Sequence, residues 1–233
     1  MNMKRQLLFL TLCFALAAGS SWAGVVVGST NPGDFLDPIN WCQFGCTGAQ
    51  FATPQSWISA DGQTGSVGLV GTLQGFYNLQ QGGGWFGNFA GGMGLVYNGA
   101  SFGNTPADIA LTFDQAENGV GAFIQANFYG PFAATITLFD ALYQPLGSFS
   151  ANGVSDGNPG TALFIGAFDS TAIWAAQFNV VDQFGKDDFS IGTAKLGPAS
   201  GVPEPESLVL MGSALLGLAA FIRRRRSLKS EVK

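Results

Sequence analysis

The 233-residue chain contains no histidine. That absence removes Ser-His-Asp and Cys-His catalysis, along with the side chain that most often ligates transition metals. Positive charge is nearly missing from the middle of the chain. Between residues 24 and 202 the only basic residues are Lys186 and Lys195, against twelve acids, a net charge of 2 − 12 = −10. Arginine is what clamps a phosphate or carboxylate, and clustered Lys and Arg are what track a nucleic-acid backbone. Nucleic acid is therefore excluded as a partner, and anionic surfaces are disfavoured. No glycine-rich phosphate loop with its lysine occurs. Glutamate is equally scarce, with Glu117 alone in that region. Glycoside hydrolysis needs two carboxylates facing each other across a cleft. Glu117 precedes Asn118-Gly119, a turn signal, and Asp187-Asp188, read as strand neighbours, point to opposite faces. These deficits describe a protein that is not an enzyme.

Long hydrophobic runs are also missing; the chain has two short ones, one at each end. Met1 to Ala23 reads as a secretory signal peptide. Lys4 and Arg5 form its positive region, Leu7 to Ala18 its apolar region, and Ser21-Trp22-Ala23 places small residues where a signal peptidase reads. Cleavage is expected after Ala23, with Ala18 as the second choice. At the other end the chain reads GVPEPESLVLMGSALLGLAAFIRRRR. Leu208 to Ile222 is fifteen residues without a charge, at the short limit for a bilayer core of ~30 Å. Arg223, Arg224, Arg225 and Arg226 can snorkel to the interface and mark the cytoplasmic side. Pro203 and Pro205 keep the preceding linker extended and out of any sheet interior.

Val202-Pro203-Glu204-Pro205, followed by an apolar run and an arginine cluster, resembles the PEP-CTERM sorting signal. The resemblance implies export from a Gram-negative bacterium. It implies a transient anchor with the C-terminus in the cytoplasm, cleavage near the motif by an exosortase, and delivery to the cell surface or beyond. The expected organisation is a signal peptide (1–23), an ectodomain (24–199), an extended linker with the motif (200–206), a transmembrane helix (207–222) and a basic tail (223–233).

Cysteine is limited to three, and Cys13 leaves with the signal peptide. Cys42 and Cys46 remain, spaced C-x3-C. In an oxidising compartment such a pair closes a disulfide, here around a loop shorter than one that stabilises by ~3 kcal/mol. Zinc would need two further soft ligands. A redox pair is the alternative, although the usual C-x-x-C context is missing.

Between the two ends the hydrophobic period is two. Ile109, Leu111 and Phe113 share a face, as do Ala134, Ile136 and Leu138, and Trp174, Ala176, Phe178 and Val180. Alternation of this kind marks half-buried strands. Further strands are expected at Val67 to Leu73, Gly121 to Phe128, Leu146 to Ser150, Ala162 to Phe168 and Asp188 to Thr193. Turns are expected at Glu117-Asn118-Gly119, Ala151-Asn152-Gly153 and Asp156 to Gly160. The glycine-rich stretch from Gly82 to Gly92 reads as a loop, or as a short strand bordering the sheet. The fold class is all-β, a β-sandwich. Residues 119–194 are similar to the jelly-roll part of other PEP-CTERM proteins. The similarity rests on Val120-Gly121-Ala122-Phe123, the strand ending in Phe139-Asp140, Leu146-Gly147-Ser148, Phe164-Ile165-Gly166, and Asp187 to Gly192. It implies a jelly-roll-like sandwich.

Two roles follow for the ectodomain. One is a structural or adhesive surface protein linked to exopolysaccharide or biofilm. The other is a lectin-like carbohydrate-binding module, with Trp41, Trp57, Trp85 and Tyr97 as exposed stacking candidates. Ice binding is a distant third, because no threonine repeat is present. No cofactor is expected; Asp34, Asp37, Asp187 and Asp188 are the candidates should calcium bind.

Overall fold

The computed structural model describes residues 26–197. The expected signal peptide, sorting motif, membrane helix and basic tail lie outside the described residues. Those described form an all-β, sandwich-like fold, without an α-helix among them and with no helix long and apolar enough to cross a membrane.

Thirteen strands are hydrogen-bonded into one continuous sheet. They are β1 (Val27–Ser29), β2 (Asp37–Ile39), β3 (Gln50–Phe51), β4 (Gln55–Ile58), β5 (Thr64–Leu69), β6 (Phe76–Gln81) and β7 (Gly84–Trp85). There follow β8 (Gly94–Tyr97), β9 (Ile109–Ala126), β10 (Gly130–Phe139), β11 (Pro145–Ser155), β12 (Leu163–Asp182) and β13 (Phe189–Leu196).

Two of these, β9 and β12, are long enough to serve both layers. Near its start β9 pairs with β5 and with the C-terminal half of β12, which continues to β10 and β11. Past Glu117 the same strand pairs with β13 and with the N-terminal half of β12, which carries β1. The register breaks between Phe168 and Ile173. Extra residues on one strand bend it and raise its twist, and here the bend turns one layer over the other. The main core lies between, built from alternate residues such as Leu111, Ile136, Phe178, Ile124, Ile165 and Leu196.

A second, smaller cluster sits on the outer face of β6 and β8. On β8, Val96 faces the main core while Leu95 and Tyr97 face outward into this cluster. The glycine-rich segment supplies its cover: Trp85 and Phe89 lie on it, and Asn88 ties the segment down. The Asn88 Nδ2 donates to Val154 O (3.1 Å), Asp156 Oδ1 (2.7 Å) and Thr161 Oγ1 (2.8 Å).

Two expected turns are not turns. Glu117-Asn118-Gly119 runs through the middle of β9, and Ala151-Asn152-Gly153 through β11. The glycines there make room rather than reverse the chain. A Cβ on Gly119 would overlap the Phe168 ring, and one on Gly153 the Phe132 ring. The hairpin between β10 and β11 instead turns at residues 140–144, where Asp140 Oδ1 accepts from the Leu142 and Gln144 amides.

Candidate functional site

The aromatic side chains expected to stack on a ligand are core residues. Trp41, Trp57, Trp85 and Tyr97 are each 5 % exposed or less. Each lies where a strand or turn faces packed side chains, and burying a large ring gains more than exposing it. Trp41 Nε1 donates to the Gly192 carbonyl at 2.7 Å. The Trp57 ring meets Phe113 edge-on at 6.0 Å, and Trp85 tilts against Tyr97 at 5.2 Å. Burial pushes the Tyr97 hydroxyl well above its ordinary value.

Three of the four acidic candidates, Asp34, Asp37 and Asp188, bond within the protein, whereas Oδ1 of Asp187 and Oδ1 of Asp188 are buried without a hydrogen-bond partner. Asp34 accepts from Ser29 Oγ and from Asn31 Nδ2 (2.8 Å), bracing a short 3-10 turn. Asp37 is buried and accepts from Ser59 Oγ and the Asp61 amide (2.9 Å). Asp188 accepts from Ser101 Oγ and from Asn127 Nδ2 (3.1 Å). Desolvation raises the neighbouring Asp187 to about 6, with Asp108 and Asp188 adding to it. Among the described residues no three His, Cys, Asp or Glu side chains gather as a metal site requires.

Glu117 is a strand residue, 6 % exposed. Desolvation, with Asp37 beside it, raises its carboxyl from 4.5 to about 7. Cys42 and Cys46 are joined in a disulfide with a Cα–Cα distance of 4.8 Å. Gly45 closes the loop at φ 103°, where glycine alone is at ease. The bridge lies against β8: a Cβ on Gly94 would come within 2.7 Å of the Cys42 nitrogen and 2.8 and 2.9 Å of the two Sγ atoms.

Two clefts open on the described surface: one of about 280 Å³ beside Phe132 and Asp182, and one of about 560 Å³ at the β3 edge. Gln50, Leu73, Gln74, Tyr77, Phe102 and Asn104 line it. Four segments meet there. Gln50 comes from β3, Tyr77 from β6, Leu73 and Gln74 from the loop before it, and Phe102 from a 3-10 turn (Ala100–Phe102). That turn is pinned from below. Tyr97 Oη accepts from the Ser101 amide at 2.9 Å, and Ser101 Oγ donates to the buried Asp188. Phe102 stands edge-on to both Tyr77 (4.8 Å, 79°) and Tyr97 (5.3 Å, 89°), yet remains 55 % exposed. Asn104 stitches the rims together through Nδ2, donating to Gly75 O (2.9 Å) and Asn98 O (2.8 Å). The cleft carries no charged side chain.

Beyond the described residues, the tail supplies the deciding observation. Residues 201–226 match the PEP-CTERM protein-sorting motif. The motif implies export and exosortase-mediated sorting to the cell surface. No curated protein matches the chain. Among solved structures, the K1 cleaved adhesin domain of Lys-gingipain (Kgp) from Porphyromonas gingivalis W83 shares 11 % identity. The alignment covers 72 % of this chain and 98 % of that one with a TM-score of 0.18, too low to carry an argument.

Proposed function

We propose that this is a non-catalytic surface protein whose sandwich serves a structural or adhesive role in an exopolysaccharide matrix or biofilm. The observation that carries the reading is the sorting motif at residues 201–226. In this reading the apolar run at 207–222 holds the chain in the inner membrane with Arg223 to Arg226 in the cytoplasm, until an exosortase cuts near the motif.

Two features of the ectodomain support a role by contact rather than by chemistry. Its buried carboxylates, Asp37, Glu117, Asp169, Asp182 and Asp188, lie outside the lining of the cleft at the β3 edge. The outward sheet face is rich in uncharged hydroxyls, with Thr135 bonded to Ser150 at 2.8 Å and Thr137 to Ser148 at 2.9 Å. Such a face offers uncharged hydrogen-bonding groups to a hydrated matrix. The test is deletion of the gene in the producing bacterium. Loss of matrix retention or of cell-to-cell adhesion, restored by the wild-type chain but not by one lacking residues 201–226, is the expected result. Unchanged adhesion and matrix in the deletion strain would reject the role.

A further inference from the structure

We propose that the cleft between Tyr77 and Phe102 is a binding site for a neutral hexopyranose chain. The inference rests on the matrix-adhesive reading for where the sugar comes from, while the binding itself rests on the cleft.

Three properties select this ligand class. The first is an exposed aromatic held rigidly. Phe102 is fixed by two edge-on rings, and its turn is locked through Ser101 to Tyr97 and Asp188. A pyranose with equatorial hydroxyls presents a face of axial C–H groups, which are slightly positive and fit the negative face of a ring. Because the ring is already ordered, little entropy is lost on binding.

The second is a rim of amides with spare valence. Gln74 accepts from the Thr105 amide through Oε1 and keeps both Nε2 hydrogens unpartnered. Gln50 donates through Nε2 to Gly75 O and Asn104 Oδ1, leaving its Oε1 unpartnered. One rim group thus donates and the other accepts, which suits a hydroxyl pair.

The third is charge. No ionised group lines the cleft, and the region between residues 24 and 202 carries −10. An anionic sugar would be repelled and would find no cation to pair with. The volume of about 560 Å³ lies within the ~300–1,000 Å³ of small-ligand clefts. Leu73, 99 % exposed on the flanking loop, adds an apolar side chain at the rim.

The test uses the full-length chain in a zwitterionic, sugar-free detergent, titrated by calorimetry with cellohexaose and separately with an alginate hexamer. Saturable binding of cellohexaose alone is expected. Phe102→Ala should weaken it at least about tenfold and Gln74→Ala severalfold, with far-UV dichroism unchanged and titrations run well below both thermal midpoints, since each variant also loses a packing or hydrogen-bond contact of its own. Phe102→Trp should retain binding. Absence of saturable binding, equal binding by Phe102→Ala, or preference for alginate would each overturn the site. A parallel pull-down on matrix polysaccharide from the producing cells separates the two ideas. If Phe102→Ala still co-sediments with it like the wild type, the cleft is wrong and the adhesive reading stands.

Discussion

Glu117→Gln isolates the one glutamate buried in the sandwich. The folded protein holds this carboxyl at about 7 against an ordinary 4.5, chiefly through desolvation and then through Asp37. As pH rises, the unfolded chain ionises first while the folded state keeps its proton. Stability therefore falls between about pH 4.5 and 7 and levels off above, where both states are ionised. The difference between 4.5 and about 7, at ~1.4 kcal/mol per pH unit, corresponds to roughly 3 kcal/mol. Glutamine is the neutral isostere and removes that penalty. We expect Glu117→Gln to be near neutral at about pH 4 and to stabilise by up to about 3 kcal/mol at about pH 8. Urea denaturation of the oxidised protein at both pH values, followed by tryptophan fluorescence, measures it. An equal effect at both pH values, or a loss of stability at pH 8, would refute the reasoning. The carboxylate would then be stabilised in the fold by a partner stronger than the burial that opposes it.

Three further outcomes are expected. Cys42→Ser should cost about 2 kcal/mol by the chain-entropy estimate for so short a loop, leaving the far-UV dichroism unchanged; thiol labelling of the wild type without reductant should be negligible. Gly94→Ala should cost ~1–3 kcal/mol by overpacking against the bridge, and the cost should shrink in a Cys42→Ser background, a coupling that a double-mutant cycle measures. Intact-mass analysis of the protein released from cells should place its C-terminus between Val202 and Glu206, and a released form retaining Leu208 to Ile222 would reject cleavage near the motif.

The period-two pattern carried much of the fold. Ile109, Leu111, Ile136, Leu138, Phe178 and Val180 are all buried in the main core, because alternation on a half-buried strand leaves one reading of which face is inside. What sequence chemistry misjudged was the function of glycine and asparagine within long strands. Next to Phe168 and Phe132, glycine is selected by the space a ring needs, and a local window cannot see a ring on another strand. That is why β9, β11 and β12 run further than expected. The aromatic candidates failed for a related reason: abundance of rings does not reveal their depth, and Trp41 and Tyr97 anchor the clusters they were expected to overhang. The cleft was illegible because residues 50, 74, 77, 102 and 104 converge from separate segments. Phe102 has no local signature that separates it from the buried phenylalanines.

β13 is the last strand of the described residues and yet sits inside the sheet, between β9 and β8, with β2 paired to it as well. A chain exported N-terminus first cannot close the layer that holds β13 until that strand has crossed. The sandwich is completed only when the sorting signal itself reaches the membrane. From Leu196 to the first motif residue at 201 is five residues, a reach of at most ~17 Å. If residues 207–222 hold the chain in the membrane as proposed, a closed sheet leaves the processing enzyme no more than that length of chain in which to cut.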